Sequence, residues 1–177
     1  MVDGVVAGIS VATSAVLFLA GPGKLTAPTA LASALTTTVP YLRPGQARTA
    51  ARLVGVVESC VAVLLATGSR PHLTGTALAA LGLAVLVLSV VAGARGLTVP
   101  CGCFSAVDAT DHRTLGPRTA AYGAGFVAVG ALHGLATSTG PADLRLTAAL
   151  TLALACLLAT HAAQLRPLLL QGLGRGQ

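Results

Sequence analysis

Charge is what this sequence has least of. Its 177 residues include 11 Lys and Arg and 5 Asp and Glu, a charged fraction of 9%, where a soluble domain carries roughly a quarter. That shortfall excludes an ordinary soluble protein, whose surface needs such groups to stay hydrated. Tryptophan is absent and aromatics make up only 3%. Four cysteines in 177 residues argue against a secreted scaffold stapled by disulfides. Disorder is excluded by the high apolar content. The net charge of +6 would suggest nucleic acid in a soluble chain, but the basic residues flank hydrophobic segments and form no single patch, so nucleic-acid binding is not expected. Met1-Val2-Asp3 provides no positive region ahead of the first apolar run, and no small-residue cleavage site precedes a soluble domain. The first segment is therefore expected to remain as a helix. No Ser-His-Asp order, phosphate-binding loop, metalloprotease motif or internal repeat occurs.

What is present is apolar sequence, 54% of the chain. Four charge-free stretches, at 4–23, 74–94, 119–138 and 146–165, each approach the roughly 20 residues needed to cross a bilayer. A fifth segment, 50–67, is less clean because Glu58 lies near its middle and Arg52 near its start. These segments predict a single all-α integral membrane domain over 1–177, a polytopic helix bundle with four to five transmembrane helices in a cell membrane. Pro28, Pro40 and Pro44 break the connector from Lys24 to Thr49, leaving room for one short surface helix. The turn Gly68-Ser69-Arg70-Pro71-His72 is short enough to make the second and third spans antiparallel neighbours. Small residues throughout the spans, among them Gly130 and Gly134, predict close helix packing within the bundle.

Loops alternate sides. One face thus carries Lys24, Arg43, Arg48, Arg52, Arg95, Arg113, Arg118, Arg166 and Arg175, and the other only Arg70 and Arg145. The positive-inside rule makes the crowded face cytoplasmic. That face also carries the connector 95–118.

This connector holds the most specific feature, Pro100-Cys101-Gly102-Cys103-Phe104. In an extended strand the two cysteine side chains lie on one face, but their Cα atoms are about 6.6 Å apart, at the far end of the disulfide range, so pairing them requires a tight bend, for which Gly102 supplies the backbone freedom. The resulting disulfide would be strained, and strain with exposure raises a reduction potential, which suits electron exchange. A static disulfide, or two idle thiols, is the bland alternative. Cys101 and Cys103 with His112 and Asp108 or Asp111 form a weaker candidate metal set, because a zinc site usually has two separated ligand pairs. No resident metal is expected. Cys60 and Cys156 lie within spans, where a buried free cysteine ordinarily serves as a small apolar residue; the functional alternative is a second thiol relay inside the membrane.

Glu58 is the sharper intramembrane residue, since an unpaired carboxylate in hydrocarbon costs several kcal/mol. It should face the bundle interior, with Lys24 a candidate partner. Arg52 is less suited, because six residues turn about 240° around a helix. A structural ion pair and a proton or ligand site are both open for Glu58. Interior hydrogen bonding is the expected role of His133 and His161, whereas His72 and His112 read as ordinary loop residues.

Ala20-Gly21-Pro22-Gly23-Lys24-Leu25, Glu58 and Cys101-Gly102-Cys103-Phe104, in this order and spacing, resemble the methylamine utilisation protein MauE family, related to DoxX-like membrane proteins. Ser105 and Tyr122-Gly123 depart from the family pattern. The resemblance implies a membrane helper in methylamine dehydrogenase maturation, acting with a thioredoxin-like partner on a disulfide-containing small subunit. It implies Cys101 and Cys103 as the exchanging pair, with Lys24 and Glu58 as accessory residues. No cofactor is demanded, although a quinone-like carrier is a candidate ligand for Glu58. The competing class is a non-enzymatic assembly or transport factor that binds a polar ligand through Glu58 and Lys24.

Overall fold

The computed structural model describes residues 2–99, 115–135 and 148–155. Five helices follow in order: α1 (Val2–Thr26), α2 (Thr29–Thr38), α3 (Pro44–Thr67), α4 (Pro71–Ala94) and α5 (Pro117–Leu135). A further helical stretch occupies 148–155. Among the described residues there is no strand, and the chain is a polytopic helical membrane bundle. Three described helices are long and apolar enough to cross a membrane: Gly4–Thr26, Pro44–Thr67 and Pro71–Ala94. Helix α5 falls on the fourth expected segment, but Arg118, Tyr122, His133 and its glycines dilute its apolarity. Of the fifth expected segment, 146–165, only 148–155 lie among the described residues.

The helix ends differ from the sequence expectation by several residues, and local chemistry explains why. Helix α3 begins at Pro44, not near Ala50, because proline fits the first helical position, where no N–H is needed. The backbone N–H of Arg43 donates to Gln46 Oε1 at 3.1 Å, satisfying a group the helix leaves open. Helix α4 begins at Pro71 for the same reason, which places His72 in its first turn and not in a loop. Between them the chain reverses through Gly68 at φ 66° and Arg70 at φ 47°, the left-handed region that glycine enters without steric penalty. The expected surface helix in the first connector is α2. Leu31, Ala32 and Ala34 point inward from it, and Leu31 and Ala32 form one cluster with Ala47 and Ala51 of α3.

Two close helix pairs build the bundle, α4 with α5 and α1 with α3. Glycine sets the first. A Cβ added to Gly75 would lie 2.5 Å from the Gly130 carbonyl oxygen, and one on Gly82 would lie 2.6 Å from that of Gly123. Residue numbers rise on one helix as they fall on the other, so the pair is antiparallel with backbones in contact, the arrangement small residues allow in membranes. The apolar centre comprises Leu17, Val61, Ala62, Leu65 and Leu78, with Phe18 and Phe126 against it.

Candidate functional site

Along α3 the residues Ala51, Gly55, Glu58, Ala62 and Leu65 are all buried, recurring at three- and four-residue steps on one helix face. Glu58 thus sits on the inward row. On α1 the buried residues Ser10, Ser14, Leu17, Gly21 and Lys24 follow the same spacing. The helices run antiparallel, and a Cβ on Gly55 would meet the Gly21 carbonyl oxygen at 2.8 Å and Lys24 Cβ at 3.1 Å. Two glycines therefore let the backbones touch where a charge is needed. Lys24 Nζ donates to Glu58 Oε2 at 2.7 Å, and the two side chains keep only 3% and 9% of their surface exposed. In hydrocarbon each charge makes the other tolerable. Below this level Ser14 Oγ donates to the Ala62 carbonyl at 2.7 Å.

A second polar locus lies at the other end of α1. Ser10 and Lys24 are fourteen residues apart, about 21 Å along a helix. Ser10 Oγ and His133 Nδ1 are 3.0 Å apart, and both residues are fully buried. Thr74, also buried, donates through its hydroxyl to the Ser69 carbonyl at 2.9 Å. Leu17, Val61, Leu65 and Leu78 fill the space between the two polar loci. The histidine was legible as an interior hydrogen-bonded residue, but its partner was not. The available signal was Ser10 and Ser14, two hydroxyls one turn apart in a charge-free span.

The cysteine connector is anchored at both of its roots. Val99 and Leu115 are buried with Ala34 of α2 and Ala92 of α4, and the Leu115 N–H donates to the Val99 carbonyl at 2.8 Å. Arg95 Nη1 donates to the Thr38 carbonyl at 2.9 Å, tying the end of α2 to the end of α4. That contact was missed in the sequence, where Arg95 counted only as a loop charge. The roots lie at the bundle end where α1 finishes, α2 lies and α3 begins. Cys101, Cys103, Asp108, Asp111 and His112 fall outside the described residues, as do Cys156 and His161.

Two expectations are corrected. Cys60 is exposed, not a buried apolar thiol, because it follows Glu58 by two residues and so lies about 200° around the helix from the inward row. His72 belongs to α4 and lines a cavity of about 330 Å3 together with Gly75, Thr76, Gly130 and Gly134. Lys24 is 2% exposed and engaged by Glu58.

No curated protein and no solved structure matches the sequence. The family described as methylamine utilisation protein MauE matches over residues 2–137, a stretch that holds α1 to α5, the Lys24–Glu58 pair and the cysteine connector. The chain belongs to the MauE family.

Proposed function

We propose that this methylamine utilisation accessory membrane protein exchanges disulfides through Cys101 and Cys103. A thioredoxin-like protein is its partner, and its client is a disulfide-containing protein such as the methylamine dehydrogenase small subunit. The supporting observation is the doubly anchored connector: Cys101 stands two residues beyond Val99, whose carbonyl is bonded to Leu115 at 2.8 Å. A reactive pair on a fixed root can be met repeatedly by a partner in one orientation. In the exchange, a thiolate of the partner attacks one sulfur of the Cys101–Cys103 disulfide, forming a mixed disulfide and releasing the other cysteine as thiolate. A second partner thiolate then completes the partner's disulfide. Two electrons pass to Cys101 and Cys103, which leave as thiols once protonated.

The competing reading assigns Lys24 and Glu58 to a polar ligand in an assembly or transport factor. Their mutual bond at 2.7 Å supports an internal ion pair instead, because a ligand, a quinone-like carrier included, would first have to separate them. The test uses a chain with Cys60 and Cys156 replaced by Ala, probed in intact cells with a membrane-impermeant maleimide before and after mild reduction. Labelling only after reduction is the result expected for exchange with an extracytoplasmic thioredoxin-like partner, and it would overturn the charge-based orientation; labelling only once the membrane is opened would keep the connector inside, where exchange draws on cytosolic thiols. Cys101→Ser or Cys103→Ser should abolish client disulfide formation while membrane insertion persists. Client oxidation that survives both substitutions would sink the proposal.

A further inference from the structure

The outward face of α3 carries charge above and hydrocarbon below. Arg48 and Arg52 are both exposed and stand one turn apart. Among the described residues no carboxylate pairs with either, since the buried Glu58 is held by Lys24. Val56 and Val63 follow on the same face at four- and seven-residue steps and are each 46% exposed. On a helix these four side chains fall within about 80° of one another. From Arg52 to Val63 is eleven residues, about 16 Å of rise, and one leaflet of a bilayer's hydrocarbon is about 15 Å deep. Tyr41, in the turn ahead of α3, is 94% exposed, as an aromatic at the headgroup level commonly is.

We propose that this face holds one anionic phospholipid, with Arg48 and Arg52 taking its phosphate and the Val56–Val63 stripe lying along an acyl chain. Guanidinium groups bind phosphate oxygens through paired N–H donors. An acidic protein surface or a free phosphate would use only the arginines. An amphiphile uses both halves of the face, and the length of the stripe matches one leaflet.

The experiment reads lipid retained by the full-length protein in native mass spectra, from neutral detergent supplied with phosphatidylglycerol and phosphatidylcholine. Phosphatidylglycerol should be held in preference. An arginine near an anionic surface contributes about a fivefold change in binding, so R48Q/R52Q should weaken phosphatidylglycerol retention about thirtyfold. R48K/R52K should stay within about fivefold of the parent, and R70Q, at the other end of the bundle, should change nothing. If the double variant does not fold, R52Q alone is read at about fivefold. Unchanged phosphatidylglycerol retention in folded R48Q/R52Q overturns the proposal. Glycerol phosphate competing as well as the intact lipid would show a free-phosphate site and also overturn it. So would loss of a co-purified acidic protein from R48Q/R52Q with lipid retention intact.

Discussion

The Lys24–Glu58 pair gives the sharpest test of the packing argument. Its bond is 2.7 Å and its side chains are 3% and 9% exposed, so removing one partner leaves the other as an uncompensated charge inside the bundle. Breaking a buried pair in this way costs about 3–5 kcal/mol, a large share of a stability of about 5–15 kcal/mol. Lys24→Met and Glu58→Met should each destabilise by that amount. The double variant K24M/E58M leaves no charge behind, and two methionines fill similar volume, so it should cost less than about 2 kcal/mol. The readout is reversible unfolding in mixed micelles followed by loss of helical circular dichroism, assembled as a double-mutant cycle. A strongly non-additive cycle is required. If the single losses simply add, or if each single change costs less than about 1 kcal/mol, the two groups do not depend on each other and the close approach at Gly21 and Gly55 does not serve to join them.

Other expectations follow from the same geometry. A Cβ on Gly82 would lie 2.6 Å from the Gly123 carbonyl oxygen, so Gly82→Ala should force α4 and α5 apart and cost about 1–3 kcal/mol in the same unfolding assay. Gly125, whose Cβ would meet nothing within 4 Å, is the matched control: Gly125→Ala should be neutral or stabilise by up to about 1 kcal/mol, and equal losses at both positions would refute the contact. Cys60 faces outward from α3, so with the other cysteines replaced it should react in membranes with a lipid-soluble pyrene maleimide and resist the impermeant reagent. Protection from both reagents would mean that its face is covered by protein.

The helical bundle was readable because bilayer length and lack of charge act over whole segments, and no local detail reverses them. Glu58 was readable as inward because a lone carboxylate in an apolar run must find a partner, and Lys24 was a candidate because both lie near one membrane face. The register that joins them was not readable. It depends on Gly21 meeting Gly55, and in a sequence with 21 glycines no single glycine announces its contact. The same holds for Gly75 and Gly82, which meet Gly130 and Gly123 across two helices that pattern alone leaves free to slide. Helix starts were misplaced at Pro44 and Pro71 because proline reads first as a breaker, whereas at the first turn it opens a helix. Cys60 was assigned to the interior on residue type, although its spacing from Glu58 already placed it on the opposite face.

The placement of the two close helix pairs bears on how the connector is held. Helices α1 and α3 are fixed against each other by Gly21, Gly55 and the Lys24–Glu58 bond, and α2 is fixed to α3 through Leu31, Ala32, Ala47 and Ala51. Helices α4 and α5 are fixed by their own glycines. The connector springs from the second pair, between the end of α4 and the start of α5, while its roots at Val99 and Leu115 are buried against Ala34 of α2. Arg95, bonded to the Thr38 carbonyl, reinforces that junction. The roots of the connector therefore join the ion-paired half of the bundle to the glycine-packed half. Under the proposed exchange, disturbing either pair should shift Val99 and Leu115, so K24M/E58M is expected to slow exchange at Cys101 and Cys103 without removing a thiol, and an unchanged rate would separate the ion pair from the connector.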